Sequence, residues 1–405
     1  MQTNKSKILI VGAGATGLAL ALAFAKLGQK SVIVGKIDQR RTGRTVALFE
    51  GSVRFLRHLD LWNDIEPVAA PLQTMCIIDN TRSLFRPPSA RFSAREIGLD
   101  QFGFNVESWQ LLELLHRNIS ASPLIRFENN LVESYKFGAD VADVKLDDGS
   151  LHRTELVVAA DGLNSPARKA ANIATKCWSY PQSALTCILS HTRPHNDTST
   201  EFHTRQGPFT LVPLAGHADA PYRSSLVWLM EPERAEAMKN LSGTELECEI
   251  EQQAQSFLGR MSLETAAHVF PMCGMITKRL FADRLALIGE AAHGFPPIGA
   301  QGLNLGFRDV ACLVDCLQEA FDRKQDVGDP SVLQAYDRSR QGDIAFRAGG
   351  VDVLNRSLLA PLLPFDFARG AVLLALSQVT PLRKLIMRTG LMPRGTPPSL
   401  MRAIA

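Results

Sequence analysis

Lys7-Ile-Leu-Ile-Val11-Gly12-Ala-Gly14-Ala15-Thr16-Gly17-Leu18 opens a run that ends at Leu27 and Gly28. Lys7 to Val11 reads as a buried parallel strand, the glycines as a turn, and Leu18 to Leu27 as a nearly all-apolar helix closed by Gly28. A dinucleotide-binding turn requires this order of strand, turn and helix. Gly12 permits the tight turn, and Gly14 lets the backbone approach a pyrophosphate. Gly17 lets the helix pack closely on the strand, so the phosphates meet the helix N-terminus at Ala15 and Thr16. Ser31-Val-Ile-Val34 supplies the second strand. The acid that usually ends that strand and grips the ribose falls at Gly35. Asp38 stands three residues later, either as its replacement or as an ordinary loop carboxylate.

Two further segments repeat the strand-and-loop pattern. Leu156-Val-Val-Ala-Ala160 is a buried strand that delivers Asp161, Gly162, Asn164, Ser165 and Arg168, an A-D-G-x-x-S-x-x-R string. Arg284-Leu-Ala-Leu-Ile-Gly289-Glu290-Ala-Ala-His293 leads into Pro296-Pro297-Ile-Gly299-Ala-Gln-Gly302-Leu303-Asn304, and Asp309 follows. There is one G-x-G-x-x-G in the chain, hence one Rossmann-type motif. His293, between Ala292 and Gly294, reads as a structural hydrogen-bonding residue.

Together the three segments resemble the group A flavoprotein monooxygenases of the para-hydroxybenzoate hydroxylase-like fold, across nearly the whole chain, and among them the ubiquinone-biosynthesis hydroxylases. The resemblance implies FAD as cofactor, with NAD(P)H and O2 as co-substrates. It places the acid at Glu290, beside Gly289, on the ribityl chain, and the loop of Pro296, Pro297 and Gly299 over the flavin ring. The helix opening at Gly302, Leu303 and Asn304 would set its positive end at flavin N1 and the C2 oxygen, where charge accumulates on reduction. Asp161 and Gly162 would contact the pyrophosphate and help receive NAD(P)H. Arg44 best matches the family's flavin-contacting arginine. Where the family carries an Asn-Arg pair this chain has Ser108-Trp109, with Gln110 as substitute.

Residues 170 to 270 lose the glycine motifs. They alternate in segments such as Phe209-Thr-Leu-Val-Pro-Leu214 and Ser224-Ser-Leu-Val-Trp-Leu-Met230, which suggests an antiparallel sheet. The fold class is therefore α/β, α+β overall: a Rossmann-like FAD-binding domain interleaved with an antiparallel substrate domain, plus a C-terminal helical segment. The expected limits are 1–71, 93–170 and 271–345 for the FAD domain, 72–92 and 171–270 for the substrate domain, and 346–405 for a helical cap. From Phe346 onward helices are expected between Pro361, Pro364 and Pro381, with eight Arg or Lys against two Asp, an excess of +6.

The formal net charge of +3 is spread along the chain, unlike the basic footprint of a nucleic-acid binder. Seven cysteines with no C-x-x-C pair indicate neither a disulfide framework nor a zinc site, and no metal is expected. Gly370 to Val379 falls short of the roughly 20 apolar residues that span a bilayer. A cytoplasmic protein, peripheral on the inner face of the membrane, is expected. The family's substrates carry polyprenyl tails, and each buried methylene favours lipid by roughly 0.8 kcal/mol.

The resemblance thus implies hydroxylation of a polyprenylphenol in ubiquinone biosynthesis, through a flavin C4a-hydroperoxide, within a ubiquinone-biosynthesis complex. No paired carboxylate or nucleophilic triad is needed, since FAD carries the hard chemistry. The alternatives are an FAD enzyme of this fold acting on another aromatic or isoprenoid substrate, and a non-catalytic partner in the same pathway.

Overall fold

A computed structural model describes residues 3–38, 40–81, 89–296, 299–359, 379–391 and 396–403. Five parallel strands form its centre: β1 (Thr3–Val11), β2 (Ser31–Val34), β3 (Ile125–Glu128), β4 (Leu151–Ala159) and β5 (Leu285–Leu287). Across the sheet they lie in the order β3, β2, β1, β4, β5. The chain builds outward from β1 on one side and returns to its other side at β4. Ligands of open α/β sheets bind outside the carboxyl ends of the two strands that flank such a reversal. Here those ends are Val11 and Ala159, register partners in the β1–β4 ladder.

The β1 segment Ile8–Val11 is apolar on both faces and buried, in one core with helix residues 18–24 and with Ala142, Val144 and Leu146 of the antiparallel strand Ala142–Leu146. Helix α1 (Ala15–Lys26) is buried from Gly17 to Phe24, and its all-round apolar character suits a helix wedged between sheet and neighbours. Those neighbours are α2 (Ser108–Ala121) and α3 (Gln301–Asp322). Each fully buried Leu or Phe of α1 contributes about 1.5–3 kcal/mol by leaving water.

The second sheet has nine strands. Thr175–His191, Arg223–Met230, Gly207–Leu214 and Thr198–Thr204 run antiparallel in sequence across it. Thr74–Asp79 adds on parallel to Thr198–Thr204, and Ala90–Ser93 completes that edge. Residues 74–79 and 90–93 join this sheet by one parallel pairing in an otherwise antiparallel order. A three-stranded sheet of Thr45–Phe49, Gly103–Glu107 and Ala70–Leu72 lies at the junction.

Four expected limits fall inside elements. Those at 71/72 and 92/93 cut the strands Ala70–Leu72 and Ala90–Ser93, the strand His268–Thr277 runs through 270/271, and helix α4 (Pro330–Leu359) runs through 345/346. Pro381 stands in the first turn of α5 (Thr380–Leu391), where a missing N–H costs nothing, so it starts a helix and does not break one. Pro361, Pro364 and residues 370–378 lie outside the described residues.

Helices α3 and α4 are joined by buried charge. Asp343 accepts from Arg308 at 2.7 Å, Arg340 at 2.8 Å and Arg347 at 3.1 Å, and Arg340 also donates to Asp309 at 2.7 Å. Burial alone would raise the Asp343 carboxyl, but Arg308 and Arg340 hold it well below the usual carboxylate range. A depressed carboxylate adds stability above its ordinary pKa of about 4, and that stability is lost as pH falls through the folded-state value. Removing it takes a shared carboxylate from three buried guanidiniums. Asp343→Ala should therefore cost about 3–5 kcal/mol in urea unfolding at neutral pH. The wild-type protein should also lose stability below about pH 4 more steeply than the variant. A variant within about 1 kcal/mol of wild type would contradict this account.

Candidate functional site

The glycines of the first motif meet three different demands. Gly12 has φ +113°, and a Cβ there would sit 2.2 Å from the Ala160 carbonyl oxygen. A Cβ on Gly17 would lie 2.0 Å from the Gly12 oxygen. Gly14 differs: its φ of −79° suits any residue, and a Cβ would meet nothing within 4 Å. The first two let the strand and helix close up, whereas the third opens onto free space at the helix N-terminus.

Gly162, at φ +82°, and Gly302 open onto free space in the same way. The packing carries all three to one cleft. Ala160 abuts Gly12, so Asp161 and Gly162 leave β4 beside the glycine turn. A Cβ on Gly289 would be 3.0 Å from Thr16 Oγ1 and one on Gly306 would be 2.8 Å from it, so the third motif lies against the start of α1. Neither α1 nor α3 has a side-chain cap on its first N–H groups. Two uncapped helix ends with their positive partial charge thus face one cleft, the arrangement that binds phosphate and stabilises developing negative charge.

Asp161 and Arg168 hold the second motif in place. Asp161 Oδ2 accepts from the Ala167 backbone N–H at 3.1 Å, and Ser165 Oγ accepts from that of Arg168 at 3.0 Å. Asp161 Oδ1 is buried with no partner among the described residues, and burial pushes this carboxyl above its ordinary range. Buried Arg168 donates to the carbonyls of Leu163 and Ala291, each at 2.7 Å, and so clasps the Asp-Gly loop to the third motif. It is a structural clasp that the sequence motif did not assign.

In the third motif Gly289 is left-handed at φ +58°, and its N–H donates to Asp309 Oδ2 at 2.9 Å. Glu290 is exposed, with no hydrogen bond or ion pair among the described residues. His293 is 1% exposed and its Nε2 lies 2.6 Å from Asp309 Oδ2, so it is engaged as a structural partner. Pro296 is buried, Gly299 is exposed, and Pro297 lies outside the described residues.

Several expected contacts are placed otherwise. Asn304 has no side-chain atom left for a ligand: Oδ1 accepts from Phe49 N and Ser52 Oγ, and Nδ2 donates to the Ala47 and Ala300 carbonyls. Arg44 is exposed with its guanidinium 4.3 Å above the Phe270 ring, on the second sheet. Its carbonyl accepts from Ser108 N at 2.9 Å, which brings Arg44 beside half-buried Gln110 in the first turn of α2. Trp109 donates to Glu107 at 2.8 Å and lies under Arg41 at 4.2 Å. Gly35 has no room for a side chain, because a Cβ would fall 2.6 Å from Ala13 N. Asp38 pairs with Arg40 at 2.8 and 2.7 Å, which pulls its carboxyl down to about 2, so it behaves as a loop carboxylate.

Residues 5–345 match the family model described as FAD binding domain. The 3-demethoxyubiquinol 3-hydroxylase of Escherichia coli (strain K12) is 28% identical over 401 residues, covering 96% of this chain and 100% of that protein. The ubiquinone hydroxylase UbiL of Rhodospirillum rubrum is 28% identical over 407 residues, covering 98% of this chain and 92% of that one. The crystal structure of the p-nitrophenol 4-monooxygenase PnpA of Pseudomonas putida superposes with a TM-score of 0.79 at 16% identity, covering 98% of this chain and 100% of that one, a likeness of fold.

The residues present suit FAD: open glycine faces at 14, 162 and 302, two uncapped helix ends, and an unpartnered buried carboxylate oxygen in the cleft. The open face of Gly14 separates binding from folding. Gly14→Trp should abolish FAD uptake while leaving the melting temperature of FAD-free protein within a few degrees of wild type. Gly17→Ala, driven into the Gly12 carbonyl, should lower that temperature markedly. Titration with FAD and thermal melts check both, and tight binding by Gly14→Trp would exclude this cleft.

Proposed function

As a member of the FAD-binding-domain family, this chain is, we propose, an FAD-dependent monooxygenase that hydroxylates the aromatic ring of a polyprenylated phenol in ubiquinone biosynthesis. One observation carries the reading: three separated motifs converge on a single cleft at the β1–β4 reversal, which two uncapped helix ends face. End-to-end similarity to proteins named as a ubiquinone hydroxylase and a 3-demethoxyubiquinol 3-hydroxylase supports the substrate class.

In this reading the residues divide the work along the cofactor. Gly12, Gly14, Ala15, Thr16 and Gly17 present the start of α1 to the pyrophosphate, with Asp161 and Gly162 on its other side. Gly289 and Glu290 serve the ribityl chain, Glu290 through an exposed carboxylate. Gly302 and Leu303 offer the positive end of α3 to the ring edge where charge gathers on reduction. Pro296, Pro297 and Gly299 cover the ring, Arg44 and Gln110 bound the cleft, and the second sheet faces the substrate. Reduced by a nicotinamide donor, FAD supplies the activation of O2 that no side chain provides. No general acid or base is assigned. His293 is read as a structural partner, because its ring is fully buried with Nε2 at Asp309.

A prenylated substrate resides in lipid. No described helix is long and apolar enough to cross a membrane. The proposed contact is peripheral. It is supported by α5, which carries Arg383, Lys384 and Arg388 and is docked through Arg383 on Glu96 at 2.7 Å.

The test is the quinone profile of cells lacking this gene, by chromatography and mass spectrometry, complemented with the wild-type gene or with Gly14→Trp. Ubiquinone should fall and a prenylphenol lacking one oxygen should accumulate, with only the wild-type gene restoring the profile. Equal rescue by a flavin-free Gly14→Trp protein would make this chain a non-catalytic partner. An unchanged profile would assign it a different aromatic or isoprenoid substrate.

A further inference from the structure

Just before α3 the backbone makes an unusual turn: Gly299 and Ala300 are consecutively left-handed, at φ +66° and +50°. An alanine pays for that conformation in steric strain, so neighbouring groups must hold it there. Two amide side chains from the first turn of α3 do so. Asn304 Nδ2 donates to the Ala300 carbonyl at 2.6 Å, and Gln301 Nε2 donates to the Gly299 carbonyl at 2.9 Å. The clamps are anchored differently. Asn304 is fixed to Ala47, Phe49 and Ser52 of the nucleotide lobe. Gln301 Oε1 instead accepts from Arg347 Nη1 at 2.7 Å, and Arg347 is held on α4 by Asp343.

Helix α4 continues from Arg347 onto the second sheet. Asp352 accepts from Tyr180 at 2.8 Å, Tyr180 accepts from Trp178 at 2.7 Å, and Val351 packs with Tyr180, Ala184, Leu229 and Met272. One helix therefore touches the sheet proposed to face the substrate and, four residues earlier, grips the amide that fixes the turn. We infer that Gln301 is a positioning residue, through which Arg347 on α4 sets the seat of the Gly299–Ala300 turn against the flavin ring. The inference rests on the reading that this turn belongs to the loop over the ring.

Gln301→Leu and Arg347→Met each cut the link at a different atom. Gln301 is half-buried, and Asp343 keeps Arg308 and Arg340 in either variant, so folding should survive in both. In FAD-free protein, amide hydrogen exchange at Gly302 and Leu303 should accelerate on the order of fivefold in each single variant, the loss of about one hydrogen bond. The double variant should exchange no faster than the quicker single, because both act through one path. With FAD bound at full stoichiometry, both singles should shift the flavin visible absorption bands by the same amount, a signature that general destabilisation would not give. Unchanged exchange and spectrum in Gln301→Leu, or additive effects in the double variant, would overturn the inference while leaving the enzyme reading intact. Wild-type protein that takes up no FAD would overturn both.

Discussion

Asp309 is a fully buried carboxylate, and the geometry of the cleft depends on how it is neutralised. It is 0% exposed, and its donors come from two parts of the chain: Gly289 N–H and His293 on the segment that follows β5, and Arg340 on α4. Burial would raise its carboxyl, but His293 and Arg340 together hold it below the ordinary range. A buried ion contributes only when every partner is in place, and a missing one is costly. The left-handed Gly289 and the position of Glu290 are thus set by a residue 20 positions away in sequence.

The same segment fuses the two sheets. Residues 285–287 are strand β5 of the parallel sheet, and His293–Gly294 pair with Met275 and Ile276 at the edge of the other. Arg168 adds a clasp at Ala291, and the junction is bonded again through Thr45 to Ser225, Asn105 to Pro213, and Arg223 to both Glu107 and Glu264. The lobes are interleaved because the segment that leads into the loop proposed to cover the ring is also a covalent bridge between the sheets. A cofactor lying in that seam is bounded by both lobes without a hinge between them.

What the sequence made legible was what short-range constraints encode. The roles of Gly12 and Gly17 could be read because a strand, a tight turn and a close-packed helix in direct succession leave only glycine room. The alternation of Phe209–Leu214 and Ser224–Met230 likewise gave two neighbouring antiparallel strands. Long-range pairing stayed hidden. Asn304 looked like a ligand residue by its place in the motif, and its four bonds to residues 47–52 and 300 are invisible in one dimension. Arg168 ended a recognisable string, but its partner Ala291 lies 123 positions away. The staple on α4 did leave a trace: Arg340, Asp343 and Arg347 recur at helical spacing, on one face, opposite the adjacent pair Arg308-Asp309.

The departures from the family pattern fall at particular places in the cleft, and their distribution bears on whether the chain is an enzyme. Gly35 lies at the end of β2, where packing against Ala13 leaves no space for an acid, and Ser108-Trp109 lies at the start of α2. Losing a ribose carboxylate shifts recognition towards phosphates and helix ends, which α1 provides without a side chain. The start of α3 shows no such loosening. Its first N–H groups are uncapped, Gly302 has an open face, the turn before it is doubly left-handed, and two amides hold that turn. Strain of that kind persists only where surrounding structure over-determines it. A partner that never held a flavin would gain nothing from Ala300 at positive φ, since the strain does not bury Gly299 and leaves the helix end uncapped. A redox ring at that helix end gives the strain a use, in aiming the first N–H groups at charge that appears on reduction.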